Sequence, residues 1–169
     1  MAWNEKVDDM IFSKRDFLRS ASLGAVALTF GCGKGAEAKG GFEVTKTDAQ
    51  WRKLLSPAAY RVLRQEDTER PFTSKLNDEH RKGIFACAGC DKRLFSSVTK
   101  FDSGTGWPSF YQPLAGGVGS KTDYAIGFKR TEIHCARCGG HLGHVFDDGP
   151  KPTGLRYCMN GAAMKFLAG

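Results

Sequence analysis

The chain has no histidine behind either of its C-x-x-C pairs, no long run of lysine or arginine, and only a ten-residue apolar run near its start. Asp91 follows Cys90 and Gly139 follows Cys138, so covalent haem attachment, which needs C-x-x-C-H, is disfavoured. The apolar run ASLGAVALTF, residues 21–30, falls short of the roughly 20 residues that a bilayer-spanning helix takes. Basic residues are scattered, so the net charge of +7 permits an acidic partner but points to no specific nucleic acid. A length of 169 residues leaves too little chain for two domains of ordinary size.

What is present fits one β-rich domain. Apolar residues make up 41% of the chain and aromatics 11%, enough for a single core. With 21 glycines and scattered turn dipeptides, many short elements are expected. That places the fold in the mainly β, α+β class rather than among helical bundles.

Residues 1–38 differ in kind from the rest. SKRDFLRS, the apolar run and the small-residue stretch GCGKGAEAKG follow one another in the order of an export signal. SKRDFL resembles the twin-arginine motif, with Lys14 in place of the first arginine. Ala36-Glu37-Ala38 suits cleavage after Ala38, which removes Cys32; lipidation of Cys32 is the alternative, and an amphipathic helix or tail is the plain one. An exported, periplasmic or otherwise extracytoplasmic protein is expected, membrane-associated if Cys32 carries lipid. Residues 39–46 then form a linker and 47–169 the domain.

Within the domain, TDAQWRKLLSPAAYRVLRQEDTER (47–70) places Trp51, Leu54, Leu55, Tyr60, Val62 and Leu63 at helical spacing. Thr47 or Asp48 can cap its start, and Pro57 divides it into two short helices. From residue 83, GIFACAGC, KRLFSS, DYAIGFKRTEIHCARC and LRYCMN are rich in β-branched and aromatic residues and predict strands, with Tyr124, Ile126 and Phe128 alternating. FDSGTGWPSFYQPLAGGVGS and GGHLGHVFDDGPKPTG are expected as the loops that carry the site.

Cys87-Ala-Gly-Cys90 and Cys135-Ala-Arg-Cys138 form the four-thiolate set that Zn²⁺ prefers, and a filled tetrahedron is structural. The pairs stand 44 residues apart, more than a compact zinc ribbon has, so one zinc ion is expected to clamp the base of a long excursion. Two disulfides are the competing reading, given an oxidising compartment.

Cys158 stands alone in GLRYCMNGAAMKF. In a strand, Arg156, Cys158 and Asn160 share a face while Tyr157 and Met159 turn to the core. A guanidinium beside a thiol favours the nucleophilic thiolate, and the Asn amide can donate to a bound group. A small buried filler is the plain alternative.

KFDSGTGWPSFYQP, CARCGGHLGHVFDDGPKPTGLRYCMN, CAGC and ERPFT together resemble the methionine sulfoxide reductases of type B across residues 47–166. The resemblance implies two mostly antiparallel sheets opening toward a shallow site, with the paired cysteines as zinc ligands and Cys158 as catalytic cysteine. It also implies reduction of the R epimer of methionine sulfoxide, usually within oxidised proteins. Thiolate attack on the sulfoxide sulfur leaves Cys158 as sulfenic acid. His141, His144 and Asn160 are candidate donors to the departing oxygen, and Trp107 and Phe146 candidate walls for the substrate's S-methyl group. His80 and His134 receive no role, and Asp147-Asp148-Gly149-Pro150 reads as a turn.

Many relatives carry a resolving cysteine where this chain has Thr105. With Cys32 gone and four cysteines on zinc, an external reductant is expected, either a thioredoxin-like protein or a small-molecule thiol, acting on a monomer. A non-catalytic zinc-ribbon binding module and a reductase of free methionine sulfoxide are the alternative functions.

Overall fold

The computed structural model describes residues 41–169; the expected export signal and Cys32 lie outside the described residues. Two short helices open the domain. α1 (Asp48–Leu54) starts from a capping box in which Thr47 and Gln50 bond reciprocally. α2 (Pro57–Gln65) follows with Ser56 as N-cap and Pro57 in its first turn. Trp51, Leu55, Tyr60, Val62 and Leu63 are buried, whereas Leu54, also expected on that face, is exposed.

Nine strands follow: β1 (Gly83–Cys87), β2 (Arg93–Ser96), β3 (Lys100–Phe101), β4 (Ser109–Phe110), β5 (Val118–Asp123), β6 (Arg130–Cys135), β7 (His141–Phe146), β8 (Arg156–Met159) and β9 (Met164–Ala168). They form two antiparallel sheets, ordered β2-β1-β9 and β3-β4-β8-β7-β6-β5. The sheets meet through aromatic rings. Phe110 of the larger sheet stacks on Phe95 at 4.3 Å and meets Phe85 edge-on at 4.9 Å. All three are fully buried, each contributing about 2–3 kcal/mol of apolar burial.

Three expectations are corrected. Tyr124, Ile126 and Phe128 are not in a strand; they sit 64%, 53% and 61% exposed in the turn between β5 and β6, because alternation without a facing sheet has nothing to bury. Conversely β7, expected as loop, lies inside the six-stranded sheet, and β5, largely expected as loop, forms its edge. β7 is HLGHVF and β5 is VGSKTD; glycine and polar residues interrupt their apolar positions, so there is no regular alternation to read.

The strand through Cys158 also ends earlier than expected. A 3-10 turn (Gly161–Ala163) interrupts it after Met159, with Asn160 as its N-cap residue, and the chain then crosses into the smaller sheet as β9. Asn160 therefore leaves the face shared by Arg156 and Cys158.

Candidate active site

Strand register assembles the site. Cys158 lies directly opposite His144 of β7 on one side and Ser109 of β4 on the other, and Phe146 lies opposite Arg156. Directly paired residues project to the same face of an antiparallel sheet, so His144, Phe146, Arg156, Cys158 and Ser109 share one face, while Tyr157 and Met159 turn toward the core. Tyr157 packs on Phe95 at 5.8 Å, and Met159 is fully buried. Gly143 makes the close approach possible. Its φ is +155°, and a Cβ there would stand 2.1 Å from the Cys158 carbonyl.

Arg156 is held in place beside the cysteine. Its Nε and Nη2 donate to the two Asp148 oxygens at 2.8 and 2.7 Å, and its guanidinium lies 4.4 Å from the centre of the Phe146 ring. The Asp148 pair, more than any other neighbour, raises its already high pKa, and Cys158 adds in the same direction. Asp148, which the sequence presents as part of a turn, is thus the partner that aims the cation.

Both histidines on β7 have carboxylate neighbours. His144 Nε2 lies 2.8 Å from Asp123 Oδ2, and Arg130 Nη2 donates to the same oxygen. Burial lowers the His144 pKa, with Asp123 partly offsetting it; Asp123 is itself pulled below the usual carboxylate range, first by the Ala125 N–H and then by His144. His141 is almost fully buried, its Nδ1 3.0 Å from Glu132 Oε1 yet out of line for a hydrogen bond. Burial pushes Glu132 up, but His141 and Lys121 outweigh it and leave its pKa lowered. No sequence signal distinguished Asp123 or Glu132 from other strand-edge acids.

Trp107 is half-buried, its Nε1 donating to the Glu69 carbonyl at 3.0 Å. The Met159 N–H donates to the Pro108 carbonyl at 3.0 Å, which ties the Trp107-Pro108 step to β8. Asn160 is buried: its Oδ1 accepts the Glu69 N–H at 2.9 Å and its Nδ2 donates to the Leu142 carbonyl at 3.1 Å. The Glu69 carboxylate in turn receives the N–H groups of Gly161 and Ala162, and burial raises its pKa. Thr105 Oγ1 lies 3.8 Å from Cys158 Sγ. His134 packs edge-on against Phe42, and His80 lines a small pocket with Phe72, Lys100 and Trp107.

The other four cysteines among the described residues converge elsewhere. Cys87 ends β1 of the smaller sheet and Cys135 ends β6 of the larger, so the cluster joins the two sheets. All four sulfurs lie within 4.8 Å of one another, with 3.7 Å between Cys87 and Cys138 and 3.5 Å between Cys90 and Cys135. Disulfides need about 2.05 Å, so the reading as two bridges is excluded. Zinc with ligands at about 2.3 Å sets sulfur spacings of about 3.8 Å in a tetrahedron, and the residues present fit it. Each knuckle has the same shape: the residue behind the second cysteine, Asp91 or Gly139, adopts φ of 62° or 66°, and its N–H donates to the first cysteine's carbonyl. Phe42 and Glu43, expected within a linker, press on the second knuckle. A Cβ on Gly139 would lie 2.1 Å from the Phe42 ring, and Glu43 pairs with Arg137 at 2.9 Å.

Residues 55–168 match the SelR domain family. The chain is 57% identical over 126 residues to a peptide methionine sulfoxide reductase MsrB of Leptospira interrogans, covering 74% of this chain and 96% of that one. It is 55% identical to the MsrB of Agrobacterium fabrum, over 73% of this chain and 93% of that one. With the MsrB of Methanosarcina barkeri it shares 52% identity, over 73% and 87%. The chain belongs to the SelR-domain family, that of the MsrB methionine sulfoxide reductases.

Proposed function

We propose that this chain is a peptide-methionine (R)-S-oxide reductase, reducing methionine-R-sulfoxide in oxidised proteins with Cys158 as nucleophile and an external thiol as electron source. Family membership supplies the reaction. The observation that carries the assignment to residues is the register that seats Cys158 between His144 and Ser109, with Arg156 on the same face.

The thiolate of Cys158 attacks the sulfoxide sulfur, and the oxygen passes from that sulfur to Cys158 as one proton is taken up. The products are the methionine thioether and a Cys158 sulfenic acid, so the cysteine is oxidised as the sulfoxide is reduced. Arg156 favours the thiolate. His144, with Nε2 on Asp123, has Nδ1 left to carry the proton to the oxygen. His141 and Asn160 support this group from buried positions, Asn160 through the backbone of Leu142 and Glu69. Trp107 and Phe146 form the apolar walls for the S-methyl group. Zinc on Cys87, Cys90, Cys135 and Cys138 is structural and takes no part in the chemistry.

Thr105 stands against Cys158 with a hydroxyl where an internal resolver needs a thiol. One external thiol therefore condenses with the sulfenic acid and releases water; a second frees Cys158 and leaves as disulfide. A thioredoxin-like protein or a small-molecule thiol fills this role. The proposal extends to a domain at 47–169, preceded by a linker at 39–46 and a twin-arginine-like export signal at 1–38, and to location outside the cytoplasm. N-terminal sequencing of the mature protein tests the export reading, and a start at Met1 refutes it.

The central test is reduction of both sulfoxide epimers, in peptide and as free amino acid, with thioredoxin and with dithiothreitol. Turnover of the peptide R epimer is expected. Activity confined to the S epimer overturns the proposal, and no activity on either returns the chain to a binding module.

A further inference from the structure

Three hydroxyls lead away from the Cys158 sulfur in single file. Thr105 Oγ1 is 3.8 Å from Sγ, Ser103 Oγ is 2.8 Å from Thr105 Oγ1, and Ser109 Oγ is 2.7 Å from Ser103 Oγ. The far end is anchored, because Ser109 Oγ donates to the Trp107 carbonyl at 3.1 Å. Ser109 is fully buried. Each hydroxyl has one proton to give, and two end-to-end arrangements of the row match the two states of the sulfur.

In the first, Ser109 gives its proton to the carbonyl, Ser103 gives to Ser109, Thr105 gives to Ser103, and the Cys158 S–H gives to Thr105. In the second, the sulfur is a thiolate and can only accept. Thr105 then turns its proton to sulfur, Ser103 turns to Thr105 and Ser109 to Ser103, releasing the Trp107 carbonyl. The sulfur's own proton leaves to solvent; no hydroxyl proton changes owner, and three C–O bonds rotate.

We propose that Thr105, Ser103 and Ser109 form a reversible hydroxyl chain that stabilises the Cys158 thiolate, with Thr105 as the donor in contact with the reacting sulfur. This rests on Cys158 being the nucleophile. The bond to an anion is about twice as strong as its neutral counterpart, and donors lined up behind it polarise one another in a low-dielectric interior. The threonine thus has a task of its own: it gives the sulfur a donor that is not itself consumed when Cys158 is oxidised.

Other groups facing Cys158 remain the same when the chain is cut. They are Arg156 with Asp148, and from the neighbouring strands His144 with Asp123 and His141 with Glu132; residues 103–110 add no ionisable side chain. The test is the pH dependence of alkylation by iodoacetamide, followed at the Cys158 peptide by mass spectrometry in the zinc-loaded protein. It needs no sulfoxide turnover, so it can fail while the reductase assignment stands. Thr105→Val is expected to raise the pH of half-maximal alkylation by about one unit, Thr105→Ser to restore it, and Ser103→Ala to give a smaller rise. An unshifted or lowered midpoint in Thr105→Val overturns the proposal. A rise in Thr105→Val with none in Ser103→Ala also overturns the chain, leaving a lone hydroxyl.

Discussion

Five cysteines lie in the described residues, in two kinds of surroundings. Cys87, Cys90, Cys135 and Cys138 have one another as neighbours and sit where strands of both sheets end. Cys158 has no cysteine beside it; its neighbours are a hydroxyl, a guanidinium and an imidazole. On the proposed mechanism the same thiol is a fastener in the first place and a reagent in the second. Crowding four thiolates is tolerable only around a cation, whereas a lone sulfur among donors stays open to a substrate. What divides the two roles is the company of the sulfur, and each member of that company can be removed.

The largest effect is expected at the fastener. Cys135→Ser takes away a ligand from a site of the class that contributes about 10–16 kcal/mol, at least as much as the whole stability of a typical domain. Metal content should fall to near zero and the cooperative thermal transition should disappear; a folded, metal-loaded Cys135→Ser protein would break the contrast. Next comes the reagent. Cys158→Ser should retain metal and fold yet lose about 10³-fold or more in kcat/KM for peptide R-sulfoxide, and activity near the parent level would remove Cys158 from the mechanism.

A smaller effect separates the supporting groups from the reagent itself. Asp123→Asn should cut kcat/KM by about 10- to 100-fold. Because Asp123 raises the His144 pKa against burial, its loss should also move the alkaline limb of the rate profile, where the proton donor is lost, to lower pH. A uniform loss with an unmoved profile would make Asp123 merely structural.

The smallest concerns pH and stability. Burial holds His144 and His134 below the ordinary histidine value, so the unfolded chain takes up those protons more readily than the fold. Their contribution is present above about pH 6.5 and is lost as pH falls through the lower folded values. Urea midpoints should drop between about pH 7.5 and about pH 5, less so in His144→Gln. An equal drop in that variant would assign the effect to other groups.

The sequence made the fold class legible, along with the two helices and the four-cysteine cluster, because each has a local signature: caps and a proline for the helices, C-x-x-C spacing for the cluster. It named Cys158, Arg156, His144 and Phe146 and put Arg156 and Cys158 on one face, but it did not show that His144 and Phe146 lie opposite them. β7 reads as loop since His141, Gly143 and His144 interrupt its apolar pattern, and β8 stops at Met159 because Asn160 turns its amide into the backbone of its neighbours. Asp123, Asp148, Glu69 and Ser103 went unnoticed for one reason. Their partners lie 6 to 92 residues away along the chain, as in Ser109 with Ser103, Arg156 with Asp148, His144 with Asp123 and Gly161 with Glu69, and only the folded register brings them together.

Five residues separate Cys158 from Met164, which starts β9 and pairs with the metal-ligating Cys87 of β1. They comprise the end of one sheet, a single tight turn and the start of the other, with the Ala88 N–H donating to the Ala163 carbonyl alongside. The reagent is thus tethered to the fastener by a short covalent strap rather than by a floppy loop. A disturbance of the metal end has only this short stretch of backbone to cross before it reaches Cys158, so the two cysteine sites are expected to fail together.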